Sequence, residues 1–313
     1  MPIVSIGRVR DPKTATRSCR MSNYAQRTPK TLIIHKSPPI ICWTRDAVAM
    51  VRSAFGVDER RGNRTPTLRG NCMVIPSQKH VRNSLLSRMH PDDYAAIETV
   101  LEPVTLKRKD VLIQPGQPLT HMRFIESGVA SVVVGTREGR RIEVGIIGSE
   151  GASGLPLLFD VESTPHETFM QIDGEALQVD KASFRSLVEE RPAFRKLMMR
   201  YAHIFQLLTA QTALSHGSYT LEERLARWLL MCHDRVSGDE FPITHEFLSV
   251  MLGVHRPGVT TTIHILEGAG TVRARRSHIE IVNRDKLKLI AGESYGIPEA
   301  EYRRLIAEDA AES

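Results

Sequence analysis

The stretch "THEFLSVMLGVHRPGVTTTIHILEGAGTV", residues 244–272, constrains the fold of this chain more than any other. Thr244 is a favourable residue just before a helix, because its hydroxyl can accept a hydrogen bond from a free backbone N–H. Gly253 predicts a tight turn, and Gly268 predicts the end of a second helix. Apolar residues at helical spacing predict the buried sides of both helices, at Phe247, Leu248, Met251, Val259, Ile263 and Leu266. Two short helices joined in this way form a helix-turn-helix.

The start of the second predicted helix has an unusual composition for a helix that only packs in a core. Arg256 can bond a guanine through two hydrogen bonds or pair with a phosphate. Pro257 is acceptable in a first turn, where its missing N–H has no helical partner to lose. Gly258 lets the backbone approach another surface closely, although glycine costs up to about 1 kcal/mol relative to alanine in a helix. This combination predicts that the helix end faces DNA.

The segment "GTVRARRSHIEIV" that follows predicts a β-hairpin. Its strands are predicted at residues 272–274 and 278–282, with Arg275, Arg276 and Ser277 in the turn. A charged hairpin tip is usually only solvated, but directly after a helix-turn-helix its arginines favour contact with DNA phosphates. The predicted DNA-contacting residues are Thr244, His255, Arg256, Gly258, Thr260, Thr261, His264, Arg273, Arg275 and Arg276.

The net positive charge of the chain comes from its first quarter. The net charge is +6 over 313 residues, but residues 1–80 hold 15 Lys and Arg against 4 Asp and Glu. The other residues therefore carry a net charge of −5, so only the local placement of charge can argue for DNA binding. Residues 1–80 show no periodicity and predict a disordered tail. Two interpretations stay open: a basic arm that touches DNA phosphates, or an extension ahead of a true start at Met73.

Residues 82–190 have the pattern of a compact antiparallel barrel or sandwich. Short β-branched runs alternate there with turn signals such as Pro115-Gly116 and Ser127-Gly128. A long helix is predicted to follow over residues 191–216, ending before Gly217. Its apolar residues recur in steps of three and four, at Phe194, Leu197, Tyr201, Ile204 and Leu208. This stripe favours a parallel dimer seam, and packing on the chain's own barrel is the alternative.

Several classes of protein are excluded by what the sequence lacks. Its four cysteines, at positions 19, 42, 72 and 232, form no CxxC pair, which argues against a zinc or iron–sulfur site and fits free thiols in a reducing compartment. HExxH, P-loop and nucleophile-elbow motifs are missing, so no catalytic residue, metal ligand or cofactor is predicted. No apolar run approaches the roughly 18 residues that span a bilayer, and a secretory signal is missing, which predicts a cytoplasmic protein.

The order of barrel, long helix and winged helix-turn-helix over residues 82–290 resembles the Crp/Fnr family of bacterial transcription regulators. The motifs that carry the resemblance are "LSVMLGVHRPGVTTTIHILEGAGTV" and the glycines Gly116, Gly128, Gly139 and Gly148. The resemblance implies an α+β fold with a cyclic-nucleotide-binding-like β-roll, jelly-roll-like in form, as sensor domain. The implied divisions are a tail at 1–80, the sensor domain at 82–190, a dimerisation helix at 191–216, a winged helix-turn-helix at 217–290 and a C-terminal extension at 291–313.

The resemblance also implies a function. Members of the family bind near-palindromic double-stranded DNA as homodimers, with half-sites about one helical turn (about 34 Å) apart. RNA polymerase is a further candidate partner, and the state of the sensor domain is expected to control the helix-turn-helix through the long helix. The alternative is a ligand-sensing module whose output is contact with another protein.

The sequence departs from the family's cyclic-nucleotide motif. Gly154-Leu155 stands where the family has Gly-Glu for the ribose, and Pro165-His166 stands near the position of its Arg-Ser for the phosphate. No arginine occurs between Arg141 and Arg185, and a buried phosphate without a cation is unfavourable. These departures predict that cyclic AMP is not the effector, although Gly154, Leu155, Pro165 and His166 are retained as a weak candidate pocket.

The sequence departs from two further patterns of the family. Pro257 replaces the acidic residue that reads a cytosine in the best-known members, so the familiar operator is not expected. The cysteine cluster of the oxygen-sensing members is missing. His121, His166 and His203 are candidate haem ligands in name only, because a lone histidine is more often an ordinary surface or core residue.

Overall fold

The structure is a computed structural model that describes residues 75–307. Some of the sequence-based predictions lie outside the described residues: the tail over most of its length, the start at Met73 and the thiols of Cys19, Cys42 and Cys72. The folded part begins earlier than predicted, because a 3-10 turn at Gln78–His80 falls inside the predicted tail. Gln78 Nε2 donates to the Met89 carbonyl at 2.7 Å, which attaches this turn to the sensor domain.

Helices occur at both ends of the described chain and between the sheets. They are α1 Ser84–Ser87, α2 Pro91–Glu98, α3 Lys181–Glu190, α4 Pro192–Ser218, α5 Leu221–His233, α6 His245–Met251, α7 Arg256–Gly268, α8 Arg284–Ala291 and α9 Ile297–Tyr302. Thr220 and Glu223 form a capping box that begins α5, which satisfies two N–H groups of the first turn. Among residues 75–307, no helix is long and apolar enough to cross a membrane.

The strands form two antiparallel sheets. They are β1 Glu102–Leu106, β2 Val111–Ile113, β3 His121–Gly135, β4 Arg141–Ile147, β5 Ala152–Ser153, β6 Glu167–Asp180, β7 Glu240–Pro242, β8 Val272–Arg275 and β9 His278–Ile281. The large sheet has the order β1-β6-β3-β4, with β2 paired to β6 and β5 paired to β3, and the small sheet has the order β7-β9-β8. This is the sheet domain followed by a C-terminal helix-turn-helix that the sequence predicts.

The long strands β3 and β6 pair along most of their length and set the shape of the β-roll. Their register shifts near Ser127 and Val129, where the chain bends. Gly128 has φ +81°, and a Cβ placed there would lie 2.6 Å from the Asp173 carbonyl oxygen of β6. Only glycine allows this close approach, which explains why Gly128 is one of the four glycines that carry the family resemblance.

The apolar stripe of α4 packs inside its own sensor domain. Phe194, Tyr201, Ile204 and Leu208 are at most 6% exposed. The Phe194 ring lies edge-on to Phe184 of α3 with centroids 5.8 Å apart, and the Tyr201 hydroxyl donates to the β5 carbonyl of Ala152 at 3.3 Å. The interpretation of this stripe as a dimer seam is therefore wrong, and the alternative of packing on the barrel is confirmed. The helix also continues through Gly217 to Ser218.

The segment after α8 folds back over the sensor domain. The Tyr302 hydroxyl of α9 donates to the Glu150 carbonyl at 2.8 Å. Arg200 of α4 donates through Nη1 to the Leu305 carbonyl at 3.2 Å, and the Ile306 side chain is 2% exposed. The described part of the C-terminal extension therefore joins the helix-turn-helix end of the chain to the β-roll.

Candidate nucleic-acid interface and effector cavity

The helix-turn-helix forms where the sequence predicts it. The Thr244 hydroxyl accepts a hydrogen bond from the Phe247 N–H at 3.1 Å and caps α6, and Gly253 adopts φ +63° in the turn. The predicted inward positions that are buried are Leu248, Met251, Val259, Ile263 and Leu266. Phe247 is half-buried, and its ring contacts the ring of Trp228 on α5 and the ring of Phe169 on β6.

The amino end of α7 lies at the surface. Arg256 is its first residue, and its side chain is 66% exposed, with Nε 4.0 Å from a carboxylate oxygen of Glu246. Pro257 occupies the first turn, as predicted. Thr261 and His264 are exposed on the following turns, and His264 Nδ1 lies 3.2 Å from Glu267 Oε2. An exposed guanidinium at a helix start, followed by exposed hydroxyl and imidazole groups, can contact phosphates and base edges.

Two predicted DNA-contacting residues have structural contacts inside the protein. A Cβ on Gly258 would lie 3.4 Å from Leu221 Cδ2, and the Gly258 N–H donates to the His255 carbonyl at 3.0 Å. A side chain at position 258 would therefore point toward the start of α5 and meet Leu221 at ordinary contact distance, so packing inside the protein does not require glycine here. The contact of Gly258 with DNA stays a prediction. The Thr260 hydroxyl lies 2.9 Å from His245 Nδ1 and connects α7 to α6.

The wing forms as a hairpin of β8 and β9, with Arg276 and Ser277 between the strands. Arg275 belongs to β8, so the turn is shorter than predicted, and Ser277 takes φ +62°. Glu280 on β9, which was not among the predicted site residues, lies 2.9 Å from Arg273 and 3.5 Å from Arg275. The hairpin register places Arg273 opposite Glu280, so the predicted hairpin could have revealed this pair. Arg276 forms no ion pair with any residue that the structure describes.

The sensor domain holds a cavity of about 560 Å³ between the β-roll and α4. Gly154, Leu155 and His166 line it as the weak candidate pocket predicts, whereas Pro165 does not. The helix α4 adds Met199 and His203, which were not predicted to line a pocket because the stripe of α4 was interpreted as a dimer seam. No Lys, Arg, Asp or Glu is among the described residues that line this cavity.

Two family models match this arrangement. The cyclic nucleotide-binding domain matches residues 103–191, and the Crp-like helix-turn-helix domain matches residues 223–290. Together the two matches cover about half of the chain. The chain belongs to the Crp/Fnr family of transcriptional regulators.

Solved structures of Crp/Fnr regulators share the fold. One from Eubacterium rectale is 16% identical, with a TM-score of 0.54 over 66% of this chain and 97% of that chain. FixK2 from Bradyrhizobium japonicum is 16% identical, with a TM-score of 0.55 over 62% and 98%. A CRP-family regulator from Thermus thermophilus is 16% identical, with a TM-score of 0.53 over 61% and 97%. No curated protein matches the sequence well enough to count as a relative.

In this Crp/Fnr regulator the sensor and DNA-binding domains share a buried polar contact that sequence reasoning missed. Trp228 Nε1 of α5 donates to Glu143 Oε1 of β4 at 2.7 Å. Beside it, the Gln171 amide of β6 donates to Cys232 Sγ at 3.2 Å. Burial raises the pKa of Glu143 to about 7 and the pKa of the Cys232 thiol well above its ordinary value. The strand pattern of β4 contains no signal that Glu143 would be covered by another domain.

Proposed function

We propose that this protein binds near-palindromic operator DNA as a homodimer and that a signal sensed by its β-roll controls that binding. The exposure of Arg256 at the start of α7, within a Crp-like helix-turn-helix, is the observation that carries the proposal. A guanidinium in this place can reach the guanine edge in the major groove while the helix end lies between the phosphates. Since operator DNA is chromosomal, we place the regulator in the cytoplasm.

The wing and α7 have different roles in this proposal. Arg256, Thr261 and His264 face outward from α7 and are assigned to base edges or nearby phosphates. Arg276 at the wing tip is assigned to a DNA phosphate, a contact that does not depend on the base sequence. Arg273 and Arg275 contribute less, because Glu280 already offsets part of their charge.

The homodimer is assigned to the exposed side of α4, which borders the effector cavity. Met199 is 51% exposed and Leu214 is 46% exposed on that side, and a partner helix would cover both. Ala210 and Ala213 are also exposed and would let two such helices approach closely. A two-fold axis along this face would relate two copies of α7.

The effector of this regulator is assigned to the cavity between the β-roll and α4, and cyclic AMP is not expected to bind there. A cyclic phosphate is an anion, and the described lining contains no lysine or arginine to pair with it. Thermal melting of the full chain with and without millimolar cyclic AMP tests this point, since binding to the native state would raise the melting temperature.

A binding titration on operator DNA tests the proposed function. Genome-wide mapping of bound fragments supplies the operator, and fluorescence anisotropy then measures its affinity. Arg256→Ala should weaken operator binding by about 1–3 kcal/mol and relax the preference at one base pair per half-site. Arg195→Ala, which removes an exposed arginine on α4, is the matched control and should leave affinity unchanged. Equal affinity for all three proteins would refute the assignment of the DNA face.

A further inference from the structure

A second cavity, of about 400 Å³, lies where three parts of the fold meet. Its walls come from the sensor domain with α4, from α8 and the residues just after α5 in the DNA-binding domain, and from the C-terminal segment that includes α9. Phe205 is the only described residue that also borders the effector cavity. The volume falls within the range of small-molecule sites, which commonly form between domains.

The side chains around the second cavity are rich in charge, unlike those of the effector cavity. Four cationic residues line it, namely Arg235, Arg284, Lys288 and Arg303, against three acidic residues, namely Glu150, Asp234 and Glu299. Glu150 Oε1 pairs with Arg235 Nε at 2.7 Å, and Asp234 Oδ1 pairs with Arg284 Nη2 at 2.5 Å. Glu299 accepts the Gly296 N–H at 3.1 Å. The cations therefore exceed the carboxylates by one, and each carboxylate already has a partner.

The most buried cation retains an unused donor. The Arg235 side chain is 8% exposed, its Nε donates to Glu150, and its Nη1 donates to the Met231 carbonyl at 2.7 Å. Its Nη2 has no hydrogen-bond partner among the described residues. Because Arg235 lines the cavity, an acceptor on a ligand can bond this remaining N–H.

Two further cations line the cavity, and the protein places few carboxylates near them to neutralise their charge. Lys288 Nζ lies 3.6 Å from the exposed Asp285, and Arg303 forms no ion pair with any residue of the described chain. Opposite these charges, Ile204 and Leu208 present apolar surface from α4. The tyrosine hydroxyls of the wall are occupied, since Tyr295 donates to Asp234 at 2.6 Å and Tyr302 donates to a backbone carbonyl.

We propose that this junction cavity binds a small organic anion, whose charged group contacts Arg235, Lys288 and Arg303 and whose apolar body lies against Ile204 and Leu208. Such a ligand contacts the sensor domain, the DNA-binding domain and the C-terminal segment at once. The ligand therefore gives the regulator a second regulatory site, separate from the effector cavity. Its binding changes how the two domains pack against each other.

Isothermal titration of the full-length chain with 2-naphthoate and with uncharged 2-naphthamide tests the proposal. The two probes share one apolar body, so any difference in affinity reports the charge. We expect the acid to bind at least about tenfold more tightly than the amide. Lys288→Glu should weaken acid binding by about tenfold or more, and Arg303→Glu should act in the same direction. Lys286→Glu on the same helix is the matched control, because Lys286 is exposed but does not line the cavity.

Three results would overturn the proposal. The first is that the acid does not bind at concentrations up to about 10 mM, and the second is that the acid and the amide bind with equal affinity. The third is that Lys288→Glu and Lys286→Glu weaken acid binding equally. The titration measures ligand binding alone, so a failure of operator binding would leave its outcome unchanged. Both substituted lysines are surface residues of α8, and circular dichroism of each variant checks that the fold is kept.

Discussion

Trp228 Nε1 donates to Glu143 Oε1 at 2.7 Å across the boundary between the DNA-binding domain and the sensor domain. The second oxygen of Glu143 is buried and has no hydrogen-bond partner among the described residues. Because a buried carboxylate is costly, this contact makes the junction of the two domains sensitive to protonation. The junction of the two domains thus contains a group that titrates near neutral pH.

The first prediction concerns pH. Burial raises the pKa of Glu143 from 4.5 to about 7, and the Trp228 hydrogen bond and the charges of Arg227 and Arg235 offset part of that rise. The folded state therefore binds a proton more tightly than the unfolded state, and stability from this group is lost as the pH rises through that window. The free energy of unfolding should fall by up to about 3 kcal/mol between about pH 5 and pH 8.

Denaturant unfolding of the wild type and of Glu143→Gln over this pH range measures the effect. The glutamine keeps an acceptor for Trp228 and does not titrate, so its stability should lose most of the downward slope. An identical slope in both proteins would assign the pH dependence to other groups. Glu299→Gln, which alters a carboxylate of the C-terminal segment instead, should retain the slope of the wild type.

The second prediction concerns the wing. Arg276 is free of ion pairs with described residues, whereas Glu280 pairs with Arg273 and Arg275. Arg276→Ala should reduce the slope of log affinity against log salt by about 1, and Arg275→Ala should reduce it by less. Glu280→Gln should tighten operator binding, because it frees two arginines for phosphates. Anisotropy titrations at several salt concentrations test this order, and equal slopes for Arg275→Ala and Arg276→Ala would contradict it.

The helix-turn-helix was predictable from the sequence because its signals are local. Thr244, Gly253 and the spacing of Val259, Ile263 and Leu266 fix a cap, a turn and a buried side within one segment, and the structure confirms each. The stripe on α4 was equally clear, but periodicity shows only that a face is buried and not what covers it.

Contacts between distant segments could not be predicted. Glu143 and Trp228 are 85 positions apart, and neither strand alternation nor helical spacing indicates that they meet. The contact of Gly258 with Leu221 likewise depends on how α5 and α7 cross. In both cases the local pattern was interpreted correctly as strand or helix, and only the packing between elements was missed.

The third prediction separates the structural and DNA-contacting interpretations of Gly258. Alanine has the better helix propensity by up to about 1 kcal/mol, and its Cβ would lie at ordinary contact distance from Leu221, 3.4 Å away. Gly258→Ala should therefore raise stability by about 0.5–1 kcal/mol and leave operator affinity unchanged. Chemical denaturation and anisotropy measure the two quantities. A loss of operator affinity in a stably folded Gly258→Ala protein would instead support close approach of this residue to DNA.

The fourth prediction concerns the homodimer. Leu214→Glu places a charge on the exposed side of α4 and should dissociate the dimer, because two such carboxylates would face each other across the two-fold axis. Operator affinity should fall by at least about a hundredfold, since a monomer contacts one half-site only. Sedimentation equilibrium measures the assembly. Leu289→Glu, on a leucine of α8 that is 82% exposed, is the control and should remain dimeric. A dimeric Leu214→Glu protein with full affinity would show that another face joins the subunits.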